Sequence, residues 1–146
     1  MYPFAKNILR ICSVTFLILF VTGCEELLTD LDASDDRERI VDTWKCNESD
    51  PYLKSARSVY WVEIDKHPSD SNRVIIFNFF DLDEDIYAEV IVSGNNLTLP
   101  NQTLEGGFTF HGSGQVSRNA DEIDWEYFFD DGSGEDKKVT AVYTRL

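Results

Sequence analysis

A chain of 146 residues suits one domain, which at that size buries roughly two-thirds of the surface its unfolded form exposes and needs no disulfide framework. Its formal net charge of −14 repels phosphate backbones and anionic headgroups, which excludes nucleic acid and electrostatic docking on lipid as expected modes of binding. The cysteines, Cys12, Cys24 and Cys46, leave no pair for a redox role once the first is removed and the second modified, and Cys46 reads as a small apolar core residue.

The N-terminus carries an address. Residues 1–10 form a short basic head, Ile11 to Val21 run without a charge, and Thr22-Gly23-Cys24 follow. This is the layout of a secretion signal, and its apolar helix would reach only about 16 Å, half of a bilayer core. Val21-Thr22-Gly23-Cys24 resembles the lipobox of bacterial lipoproteins. The resemblance implies cleavage after Gly23 and a diacylglyceryl thioether on Cys24, so that residues 1–23 are lost and the membrane is reached through a lipid anchor. Acyl chains contribute about 0.8 kcal/mol per buried methylene, enough in a multiply acylated cysteine for permanent attachment. Residues 24–38 then read as the lipidated cysteine and an acidic tether, EELLTDLDASDDRE, in which Leu27, Leu28 and Leu31 allow at most a short helix. Acidic residues directly after the cysteine resemble the surface-export signal of Bacteroidetes lipoproteins, which implies an outer-membrane protein that faces outward.

From residue 39 to residue 146 the pattern is all-β: short runs rich in Val, Ile, Phe, Tyr, Trp and Thr, broken at near-regular intervals by turn residues. The runs predict strands over Ile40–Asn47, Val59–Lys66, Arg73–Phe80, Ile86–Ser93, Leu97–Pro100, Phe108–Ser117, Ile123–Asp130 and Lys137–Arg145. The connections at residues 68–72, 94–96 and 132–134 are too short for parallel crossovers, so the strands form an antiparallel meander. Alternation separates Ile123, Trp125, Tyr127 and Phe129 from Asp124, Glu126 and Asp130, giving one face for burial. Within Arg73–Phe80 everything after Arg73 is apolar on both faces except Asn78, which predicts a segment covered twice. A last strand closing on the first would remove both edges, so the expected architecture is a single eight-stranded up-and-down barrel. Such a barrel is either filled by side chains or holds one small ligand, and the abundant aromatics leave both open.

Arg39-Ile40-Val41-Asp42-Thr43-Trp44 resembles the Gly-x-Trp entry strand of lipocalin-like domains, with Asp42 in the glycine's place. Asn78-Phe79, Leu97–Gln102, Gly112-Ser113-Gly114, Asp124–Tyr127 and Thr140–Thr144 resemble small lipocalin-like lipoproteins of Bacteroidetes. The resemblance spans most of residues 39–146 and implies a calycin-type barrel in which Trp44 plugs the closed end. It brings no catalytic residues.

No pattern announces an enzyme, a cofactor or a metal. Asp81-Leu82-Asp83-Glu84-Asp85 lacks the glycine and glutamate of a calcium loop and reads as an acidic turn, and residues 130–136 are a flexible oxygen-rich loop. His67 and His111 stand alone, and Glu63 with Asp65, or Asp124 with Glu126, read as solvated sheet faces. The aromatics Trp44, Tyr60, Phe77, Phe110, Trp125 and Tyr127 are the candidate core or pocket lining. The sequence therefore predicts a non-enzymatic binding role with a small hydrophobic ligand in the barrel, or else an interaction module of an envelope assembly with a filled barrel.

Overall fold

The computed structural model describes residues 35–49 and 57–146; the segment expected to be a secretion signal, Cys24 and the expected tether through residue 34 fall outside the described residues. Asp35–Leu146 is one compact unit. Its strands are β1 (Asp42–Ser49), β2 (Arg57–Lys66), β3 (Arg73–Phe77), β4 (Tyr87–Ser93), β5 (Asn96–Thr103), β6 (Thr109–Val116), β7 (Glu122–Asp130) and β8 (Lys137–Arg145). Every neighbouring pair is antiparallel, and β8 returns to β1 with Cys46 opposite Tyr143, so the meander closes into an eight-stranded barrel. The architecture is compatible with a lipocalin-like fold.

Alternation sets the inside and the outside. Trp44 and Cys46 on β1, Val62 and Ile64 on β2, and Trp125, Tyr127 and Phe129 on β7 are buried, while Lys45, Asn47, Glu63, Asp124 and Glu126 between them are exposed. A polar outer wall around an apolar interior is the reverse of a membrane-spanning barrel, so this wall faces water. The interior is one cluster of buried side chains.

Four strands depart by two residues or more from the bounds read in the sequence. β1 starts at Asp42 because Ile40 instead closes a 3-10 turn, Asp36–Arg39, with its N–H on the Arg37 carbonyl at 3.0 Å. The same strand runs on to Ser49 and so includes Glu48. β2 begins at Arg57, two residues early. β3 ends at Phe77, since Asn78 takes the left-handed conformation (φ 55°) and turns the chain into a second 3-10 turn, Phe79–Asp81. β5 continues through Pro100 to Thr103 with a register shift between Leu99 and Gln102, which accommodates the missing proline N–H. There the Gln102 amide replaces the ladder toward β4: it accepts from the Glu89 N–H at 2.9 Å and donates to the Glu89 carbonyl at 2.8 Å.

Two glycines on β6 set how closely it approaches β7. A Cβ on Gly112 would lie 2.5 Å from the Cα and Cβ of Tyr127, and one on Gly114 would lie 2.8 Å from the Trp125 ring. Both glycines pair directly with those aromatics across the ladder. Their missing side chains are the room in which the large inner residues of β7 sit.

Candidate functional site

One end of the barrel is shut by the first 3-10 turn. Trp44 is fully buried, its Nε1 donates to the Ile40 carbonyl at 2.9 Å, and the Arg145 guanidinium lies 4.8 Å over its ring. Arg145 also donates to the Arg39 carbonyl at 2.7 Å. Arg37 fastens the turn to the β2–β3 connection by donating to the Asp70 carbonyl at 2.8 Å, and its guanidinium holds the Asp35 carboxyl well below the usual carboxylate range. Gly94 N–H donates to Asp36 and Arg39 donates to Asn95, which ties in the β4–β5 turn.

The opposite end is filled from a loop. The left-handed residues Asn78, Phe80 and Asp81 fold the β3–β4 connection inward, where Phe79 is fully buried and Phe80 packs on the core. Their rings meet inner residues of β6 and β7: Phe79 lies 5.4 Å from Phe110 and 5.1 Å from Tyr127, and Phe80 lies 4.8 Å from Phe129. Such offset and edge contacts add to the area that the rings bury. Phe108, from the β5–β6 connection, stands 5.9 Å from Phe129 and widens the plug.

A polar group sits beside this plug. Glu48 points inward from β1 and is 4% exposed, and its Oε2 accepts from the Tyr60 hydroxyl at 2.6 Å and from the Tyr127 hydroxyl. Hydrogen bonding makes the burial of a carboxylate tolerable. Tyr143 and Trp125, with rings 5.9 Å apart, bury a hydroxyl and an indole N–H that have no hydrogen-bond partner among the described residues. Burial raises the hydroxyls of Tyr60, Tyr127 and Tyr143 far above the ordinary tyrosine value, and lifts the Cys46 thiol as well. These groups stay protonated at neutral pH; Cys46 is therefore no nucleophile there.

Five of the six aromatics singled out in the sequence, Trp44, Tyr60, Phe110, Trp125 and Tyr127, line the interior. Phe77 instead lies on the outer face of β3, edge-on to Tyr87 at 5.5 Å. Sequence reading passed over Glu48, whose signal was its place two residues beyond Cys46 on a buried face.

The loop carboxylates are engaged locally. Asp130 accepts from the N–H groups of Gly132 and Gly134, and Asp131 pairs with Lys137 at 2.7 Å. His67 accepts from the Asp70 N–H, while His111 stacks on Phe128. Among the described residues no three His, Cys, Asp or Glu side chains group to hold a metal ion.

The outer wall carries one apolar area. Val59, Trp61 and Tyr87 are 58%, 47% and 45% exposed, and all lie on the β2–β3–β4 side. Trp61 lines a groove of about 490 Å³ together with Thr43, Tyr60, Val62, Glu63, Phe77, Asn78, Asp81 and Glu84. No protein-family model matches the chain, and no curated protein is significantly similar to it.

Proposed function

We propose that this protein is a lipid-anchored, non-enzymatic module of the bacterial envelope that works by contacting another protein with the outside of its barrel. The observation that carries this reading is the plug of Phe79 and Phe80 against Phe110, Tyr127 and Phe129. An interior occupied by the chain's own rings leaves the wall as the surface available to a partner, and exposed apolar side chains gathered on one wall are a feature of interaction sites. The signal-like N-terminus and the lipobox-like Val21-Thr22-Gly23-Cys24 with the acidic residues after it support anchorage in the outer membrane.

A photoactivatable residue placed in turn at Lys45, Trp61, Ser113 and Lys138 in intact host cells tests the reading. Covalent adducts to one recurring protein, formed from neighbouring positions only, are expected. Adducts from no position contradict it.

A second reading, a small hydrophobic ligand held inside the barrel, draws on the unpartnered Tyr143 hydroxyl and Trp125 N–H. It requires Phe79 and Phe80 to leave the interior. Their left-handed neighbours store roughly 1–2 kcal/mol each, which lowers the cost of that departure without matching the burial it would undo.

A further inference from the structure

β2 has ten residues, yet β3 pairs only with its last four, Glu63–Lys66. The chain that would continue along β2 turns inward at Asn78 to form the plug. Along Arg57–Val62 the edge facing β3 therefore has no described strand beside it, whereas the other edge pairs with β1 throughout. Asn78 donates its side-chain amide to the Trp61 carbonyl at 2.8 Å, which fixes the direction of that edge: the backbone groups of Trp61, and of Val59 two residues before it, point into the gap. With the Trp61 carbonyl taken by Asn78, the Trp61 N–H and the backbone groups of Val59 are, among the described residues, the part of this edge that can template a further strand.

Two chemistries border the gap. Val59 and Trp61 stand exposed, and the groove that Trp61 lines also carries the carboxylates of Glu63, Asp81 and Glu84, with no lysine or arginine among its described lining residues. We infer that this gap receives an extended segment of a partner protein that adds as a strand to β2, with apolar side chains alternating with basic ones. Charge chooses this occupant over others. The chain's own tether is acidic, and a second copy brings the same carboxylates and the same net charge of −14. Basic side chains of an added strand would meet Glu63, Asp81 and Glu84, and the apolar ones between them would lie against Val59 and Trp61. The inference rests on the reading of the protein as an interaction module and names the surface and the class of partner.

The test uses the full chain and a blocked synthetic peptide alternating Lys with Val, against the same peptide with Glu for Lys. Saturable binding of the Lys peptide at low salt is expected, with amide chemical-shift changes centred on residues 57–63. The Glu peptide should bind at least about tenfold more weakly, and added salt should erase most of that difference. Trp61→Ala should weaken the Lys peptide about tenfold, as expected for an aromatic anchor. Val59→Pro removes an edge N–H without touching the β1 ladder and should weaken it as well.

Equal binding of both peptides, shifts centred on another wall, or no binding at low salt would overturn the inference. Cross-links from Ser113 or Lys138 in cells, together with a silent edge, would leave the module reading standing and remove only this surface. Cross-links from nowhere would remove both.

Discussion

Glu48 shows most sharply what a single side chain does in this barrel. It follows Trp44 and Cys46 on the inner face of β1 and is buried with two tyrosine hydroxyls donating to one of its oxygens. Tyr60→Phe or Tyr127→Phe takes away one of those donors, and each should lower the stability measured by urea unfolding by about 1–3 kcal/mol. Tyr143→Phe removes a hydroxyl that has no partner among the described residues and should be neutral or slightly stabilising by the same measurement. The three tyrosines also fix a pH window. Their folded values lie above the 10.0 of an ordinary tyrosine because burial disfavours the phenolate, so only the unfolded chain releases these protons near that pH. Their contribution is complete below pH 10 and is lost above it, at up to about 1.4 kcal/mol per pH unit for each tyrosine. Phenolate absorbance should therefore rise for these three only together with loss of β-sheet circular dichroism. The inner aromatics were legible because period-two alternation marks them, whereas Glu48 escaped because the expected strand stopped one residue short of it. Phe77 misled for the opposite reason: a run apolar on both faces carries no alternation to say which side chain turns inward.

Among the elements, β6 and the β3–β4 connection decide the shape of the interior. Gly112→Ala would bring a methyl to 2.5 Å from the β7 backbone, a contact with no flexible partner to yield, and should cost about 3 kcal/mol or more in thermal or urea unfolding. Gly114→Ala meets the Trp125 ring and should cost about 1–3 kcal/mol. Phe79→Ala, which empties the plug, should cost about 3–5 kcal/mol and leave a cavity at the barrel mouth that binds small aromatic probes. Strand number, order and antiparallel pairing were all readable in the sequence, since turn residues and hydrophobic runs alternate at short spacing. The plug was not. Nothing in Asn78-Phe79-Phe80-Asp81 says that left-handed backbone will take a strand-like apolar run out of the sheet, because tertiary burial of Phe79 outweighs local preference there.

At the scale of the whole molecule, a closed, self-filled barrel belongs to a strongly acidic chain for which a lipid anchor at Cys24 is proposed. Cys24→Ser should shift the protein from the membrane fraction to the soluble fraction of the host without altering the fold of the barrel, as followed by cell fractionation and circular dichroism. The barrel was foreseen from its end strands: a terminal strand able to meet the first leaves neither the first nor the last strand as an edge, and β1 and β8 do pair. Whether its interior is filled or hollow was not foreseen, because the volume inside depends on which way the β3–β4 connection folds. Native mass spectrometry of the protein released from its own membrane tests this filling most directly. The account predicts the mass of the lipidated chain with no further small molecule in stoichiometric amount; a small molecule retained one to one would contradict it and return the barrel to the role of a container.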